Sequence, residues 1–110
     1  MVDWTARRAR YQRDNPAVQL GGLASNLSRI AWCAQRHDRA QALPVFQESK
    51  YFTEWAARVC PLEQQAMLAE LQLQLALWEH GWENRMSPAG IAQEAQRWST
   101  TLLHSAGLLS

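Results

Sequence analysis

The residues best suited to chemistry stand at the start of the chain, where four arginines cluster: Arg7, Arg8, Arg10 and Arg13. Tyr11 lies among them, and Trp4 precedes them by one helical turn. Guanidinium groups neutralise phosphates and an aromatic ring can stack on a base, so this segment suggests contact with an anion or a nucleic acid. The alternative is a solvated helix face, because Asp3 and Asp14 reduce the four positive charges to a net +2. We favour the solvated face and keep nucleic-acid contact as a second hypothesis.

Metal binding and catalysis have weaker signals. Cys33 and His37 stand four residues apart, which places two metal-binding atoms on one helix face. A structural zinc site needs four ligands, and the remaining Cys and His residues are scattered, without a CxxC, HxxxH or HExxH motif. His80 and Glu83 have the spacing of an acid–base pair, but no nucleophile accompanies them. We therefore expect no enzyme, no metal and no cofactor.

The elements that position these residues are helices. The chain has 110 residues, of which 47% are hydrophobic, and alanine, leucine and glutamine, all good helix formers, dominate its composition. Caps and prolines divide it into five predicted helices: about 4–13, 16–37, 39–59 with a break or kink at Pro44, 62–82, and one from Pro88 to about 106. The sequence predicts an all-α fold, a compact four- to five-helix bundle. It forms a single domain over residues 1–110, with residues 1–15 as an Arg-rich helix at its periphery.

The fourth predicted helix is apolar on two sides. One stripe contains Leu68, Leu71, Leu75, Trp78 and Trp82, and the other contains Ala66, Ala69 or Glu70, Leu73 and Leu77. A helix that is apolar on two sides needs two neighbours. Either it is the central helix of the bundle, or its second stripe meets a second subunit.

Six tryptophans in so short a chain point in the same direction, because a small core cannot easily hide them all. Trp55, Trp78 and Trp98 lie on or beside predicted core stripes, which leaves the other three for an interface, where Trp is enriched. The predicted interface residues are Trp4, Trp32, Ala66, Leu73, Leu77 and Trp82. We therefore expect a protein–protein interaction module, either a homo-oligomer, most simply a homodimer, or one that binds another protein.

Charge and hydropathy bear on membrane contact and on the cellular compartment of the protein. The net charge is +1, but residues 1–39 carry seven Arg against three Asp (+4), and residues 40–110 carry four cations against seven Glu (−3). No apolar run approaches the roughly 18 residues of a membrane span, and the first residues lack the apolar core of a secretory signal. These features predict no membrane contact and a cytoplasmic protein with two reduced thiols.

Four strings of the chain carry a resemblance: QLGGLASNLSRI, ESKYFTEWAA, LAELQLQLALWE and RWSTTLLHSAGLL. Together they resemble a group of small all-helical proteins of cyanobacterial type without an assigned activity, over about Leu20–Leu109. The resemblance implies a cytoplasmic, oligomeric helical protein. It assigns a role to no residue.

Overall fold

A computed structural model describes residues 2–109 of the chain. It contains five helices: α1 Trp4–Arg13, α2 Pro16–Gln35, α3 Arg39–Ala57, α4 Leu62–Gly81 and α5 Pro88–Ser105. Residues 2–109 contain no β-strand beyond an isolated bridge between Trp82 and Met86. The predicted all-α bundle is confirmed, whereas Met1 and Ser110 of the expected domain lie outside the described residues.

Side-chain caps set most of the helix starts. The carboxylate of Asp3 accepts a hydrogen bond from the backbone N–H of Ala6, and Asp38 does the same for Gln41. Ser87 caps α5 through its hydroxyl, which accepts from the Gly90 N–H. These three caps were predicted from the sequence. Pro44 lies inside α3 without ending it, so the alternative of a broken third helix is wrong.

The central helix is α2. It packs against α5 on one side and against α3 on the other, while α4 packs mainly on α3 and touches α5 only lightly. The resulting molecule is flat, with Cα extents of 36 × 36 × 20 Å. Because α4 lies at the edge, the alternative in which it is the central helix is wrong.

The core lies between the stripes of α2, α3, α4 and α5. The largest side chains that are fully enclosed include Leu20, Leu23, Leu27 and Ile30 of α2, Phe46 of α3, Ile91 and Leu102 of α5, and Leu68, Leu71, Leu75 and Trp78 of α4. One face of α4 therefore belongs to the core in full.

Two aromatic residues attach α1 to the bundle. Trp4 packs on Tyr51 with 4.5 Å between ring centroids, and Tyr11 stacks on Phe52 at 4.0 Å. The Tyr11 hydroxyl donates a hydrogen bond to the backbone carbonyl of Gln19 in α2. The Arg-rich helix is thus docked on α3.

Close approach explains one of the two glycines inside α2. A Cβ on Gly21 would lie 3.0 Å from Leu108 Cδ1, tighter than most Cβ contacts, so the Leu108 side chain would have to shift slightly. The chain after α5 therefore folds back closely against α2 at this glycine.

Candidate protein interface

The outer face of α4 is a row of uncovered apolar side chains. Leu62 is 80% exposed, Leu73 is 60% exposed and Leu77 is 48% exposed. Ala66 and Ala69 between them are exposed as well. The predicted second stripe is therefore on the surface, as an interface between molecules requires.

Helical geometry explains the two faces. At 3.6 residues per turn, Leu73 lies nearly opposite Leu71 and Leu75 around the helix axis, and both of those leucines are fully buried. Since α3 covers only one side of α4 and α5 barely reaches it, nothing in residues 2–109 covers the other side. We call this surface, made of Leu62, Ala66, Ala69, Leu73, Ala76, Leu77 and His80, the α4 outer face.

Charged side chains of both signs border the α4 outer face. Glu63 and Glu70 lie on one edge and are exposed. Arg85, in the turn after α4, lines a shallow groove together with Leu77 and His80. Neither Glu63 nor Arg85 has an oppositely charged partner within residues 2–109. The two unpaired charges lie at opposite ends of the face.

The three tryptophans predicted at an interface differ in their positions. Trp32 is 51% exposed on α2, with the Arg36 guanidinium 4.6 Å from its ring centroid. Trp4 is half-buried against Tyr51. Trp4 lies on α1 and Trp32 lies on α2, so neither belongs to the α4 outer face.

The prediction of Trp82 as an interface residue is wrong. Trp82 is only 5% exposed and meets Phe46 edge to face, with 6.2 Å between ring centroids. The sequence held the signal for this, since Trp82 follows Trp78 by four residues and extends the inner stripe of α4. The indole N–H groups of both tryptophans are buried without a hydrogen-bond acceptor within residues 2–109.

The four N-terminal arginines do not form one surface. Arg7 forms an ion pair with Glu48 and lies over the Trp4 ring at 5.5 Å, so its charge is largely used within the protein. Arg8 donates a hydrogen bond to Gln12, while Arg10 and Arg13 are exposed. Arg7 and Arg10 line a groove with a further arginine, Arg29 of α2. The sequence could not specify this meeting, because it depends on how α1 and α2 lie relative to each other.

Burial favours the neutral forms of the titratable groups in the interior. Burial raises the pKa of the Tyr11 hydroxyl far above its ordinary value, and burial likewise raises the pKa values of the free thiols of Cys33 and Cys60. A thiol of raised pKa is a poor nucleophile. No group of three or more metal-ligating side chains occurs within residues 2–109.

The weaker sequence candidates are not assembled into a site. The His37 ring lies 3.8 Å from a carboxylate oxygen of Glu83, so Glu83 faces His37 and forms no ion pair with His80. Cys33 is buried, whereas His37 is exposed and adopts a positive φ of 54° beyond the end of α2. Lys50 forms an ion pair with Glu79 of α4, which joins α3 to α4.

Comparisons of the chain with protein families, with curated proteins and with solved structures give no match. The resemblance to small helical proteins of cyanobacterial type stays a prediction. Within the described residues, no helix combines the length and the apolar character needed to cross a membrane.

Proposed function

We propose that this protein is a non-enzymatic interaction module that forms a homodimer through the α4 outer face. The observation that carries the proposal is the row formed by Leu62, Leu73 and Leu77, which stays in water while the opposite face of the same helix is fully buried. Burying a leucine side chain is worth roughly 1.5–3 kcal/mol. Covering all three leucines therefore contributes several kcal/mol of favourable free energy to association.

Charge favours a second copy of the chain as that partner. A symmetric dimer brings one surface against itself, so every charge must find its complement within the same surface. The ends of the α4 outer face meet this condition, because Glu63 at one end and Arg85 at the other have no oppositely charged partner within residues 2–109. Glu70, nearer the centre, has no such complement. We place this association in the cytoplasm, where cysteines such as Cys33 and Cys60 stay reduced.

Sedimentation velocity over a concentration series tests the proposal. The unmodified protein is expected to shift from monomer to dimer as its concentration rises through the micromolar range. Leu73→Glu places a charge at the centre of the face and should weaken the dimer by at least about 30-fold, as expected for a central interface residue. Val18→Glu is the matched control, because Val18 is 48% exposed on α2, away from α4. It should leave the dimer unchanged.

Circular dichroism of both variants serves as the folding check, since neither substitution touches the core. A protein that stays monomeric at about 100 μM, or a dimer that Leu73→Glu and Val18→Glu weaken equally, would contradict the proposal.

A second candidate function, contact with nucleic acid, is favoured by one observation. Arg7, Arg10 and Arg29 line the same groove, beside the carboxylates of Asp14 and Glu48. Arg29, the exposed Trp32 and Arg36 then follow on one side of α2, because they stand three and four residues apart. Arginines that alternate with an exposed aromatic ring suit a phosphate backbone and an unstacked base.

Gel retardation with single- and double-stranded DNA and RNA at about 50 mM salt tests this candidate. Binding is expected to weaken steeply with added salt, and replacing Arg10 and Arg29 with Gln should abolish it. Absence of retardation at that salt concentration, or retardation that the double variant leaves intact, would contradict nucleic-acid contact.

A further inference from the structure

Small and large residues follow one another on the α4 outer face at coiled-coil spacing. Leu62, Ala66, Ala69, Leu73, Ala76 and His80 stand four, three, four, three and four residues apart. This is the alternation by which one helix packs knobs into the holes of another. Unlike an ordinary coiled coil, the row has alanine at its core positions except at Leu62, Leu73 and the terminal His80.

When the face packs on a second copy of itself, the relative direction of the two α4 helices decides which residues face each other. In a parallel pair, Leu73 meets the Leu73 of the second copy, while alanine layers face alanine layers and leave space between them. In an antiparallel pair centred near residue 71, Leu73 of each copy packs on Ala69 of the other. Each Leu73 then fills the space beside an Ala69, although Ala66 still faces Ala76 of the other copy.

We infer that the homodimer is an antiparallel pair of α4 helices, with Leu73 of each copy packed on Ala69 of the other; this inference rests on the proposed function. The charges agree with the direction. Antiparallel pairing brings the Glu63 end of one copy to the Arg85 end of the other, twice by symmetry, whereas a parallel pair would place each charge beside its own kind.

One carboxylate lies near the symmetry axis of this pair. Glu70 is exposed beside Ala69, so the two copies bring two Glu70 side chains towards each other. Arg97 of α5 lines the same groove as Glu70, but it forms its ion pair with Glu94. Glu70 therefore contributes nothing favourable to the affinity of the antiparallel pair.

Distances between spin labels test the direction. In the full chain with Cys33→Ala and Cys60→Ala, a label at Glu63→Cys lies eight residues from the pair's centre. At 1.5 Å per residue, two such labels lie about 24 Å apart along the axis in an antiparallel pair. In a parallel pair they lie only about 10 Å apart, the distance between helix axes. A label at Glu70→Cys is the control, since it lies near the centre and gives a short distance in either direction.

Charge exchange tests the direction in the chain with its cysteines intact. Glu63→Arg alone and Arg85→Glu alone should each weaken the dimer about three- to tenfold, because each creates two like-charged contacts. The double variant should recover the unmodified affinity to within about twofold. In a parallel dimer each of these charges faces its own kind before and after the exchange, so neither single variant should weaken it.

The outcomes separate the two proposals. An antiparallel distance for the Glu63 label, with recovery in the double variant, supports both. A dimer in which the Glu63 labels lie as close as the Glu70 labels overturns the direction and leaves the homodimer standing. A labelled and an unmodified protein that both stay monomeric overturn the homodimer and the direction with it.

Discussion

Among the helices that pack on α3, α1 and α4 differ in what they leave uncovered. The large apolar side chains of α1, Trp4 and Tyr11, both contact α3 through aromatic rings. In contrast, α4 carries two apolar rows, of which α3 covers only the inner one. A helix with one apolar row is satisfied by one neighbour. The second row of α4 is left uncovered within residues 2–109; in the proposed homodimer a second copy covers it.

The largest effect is expected on the inner row of α4. Trp78 is fully buried, so Trp78→Ala should lower the free energy of unfolding by about 3–5 kcal/mol. Leu73→Ala on the outer row should change it by less than about 0.5 kcal/mol in the monomer, because exposed sites contribute little to folding. Urea unfolding at a protein concentration below the dimer range measures both. Equal losses for the two variants would remove the distinction between the rows.

A smaller effect is expected where α1 meets α2. Tyr11→Phe keeps the ring stacked on Phe52 but removes the hydrogen bond to the Gln19 carbonyl, which should cost about 0.5–1.5 kcal/mol. Comparing this loss of stability with that of Trp78→Ala shows how much less the α1 hydrogen bond contributes than the core contact of α4. Urea unfolding at pH 7 measures it, and a variant as stable as the unmodified protein would show that the hydrogen bond contributes nothing.

The same tyrosine gives the protein an alkaline limit. Burial raises the folded-state pKa of Tyr11 above its unfolded value of about 10. The contribution of protonated Tyr11 to the free energy of unfolding is therefore complete below pH 10. Above pH 10 this contribution falls by up to about 1.4 kcal/mol per pH unit. Between pH 9 and 11, the free energy of unfolding should fall more steeply with pH for the unmodified protein than for Tyr11→Phe. Parallel curves would contradict a buried, protonated Tyr11.

A modest loss is expected at the ion pair between α1 and α3. Arg7→Gln leaves Glu48 with Asn26 as its remaining partner and should cost about 1 kcal/mol or less, since Arg7 is partly exposed. Dimer affinity should not change, because the groove that Arg7 and Glu48 line is formed by α1, α2 and α3, without an α4 residue. Weakened dimerisation would indicate that the interface includes α1.

The smallest effect is expected at the edge of the α4 outer face. Glu70→Gln removes two like charges from the centre of the antiparallel pair and should strengthen the dimer by about two- to threefold at low salt. Added salt should reduce the difference between the two proteins. Sedimentation at two salt concentrations measures it, and a weaker dimer would mean that Glu70 makes a favourable contact.

The sequence was sufficient for much of the fold. Asp3, Asp38 and Ser87 predicted three of the helix starts, and the spacing of Leu73 and Leu77 predicted a second apolar stripe on α4. The sequence was not sufficient for contacts between distant segments. Lys50 has Glu54 four residues away, the spacing of a helical ion pair, yet it pairs with Glu79 because α3 and α4 lie side by side.

The misassigned Trp82 shows the same limit at a helix end. The chain turns after Gly81 and folds back so that the Glu83 N–H donates to the Met86 carbonyl, and this turn encloses the indole against Phe46. Helical periodicity places Trp82 on the inner stripe of α4, but it does not report the turn that follows. The meeting of Arg29 with Arg7 and Arg10 likewise depends on the packing of α1, which no local pattern encodes.

The most direct test of the α4 outer face as a dimer interface is a methyl NMR measurement with a soluble nitroxide. At a concentration below the dimer range, the methyl signals of Leu73, Leu77 and Val18 should all be attenuated by the nitroxide. At about tenfold above the dissociation constant, the two leucine signals should become protected while Val18 stays attenuated. Leucine signals that are attenuated equally at both concentrations would contradict a second copy on this face.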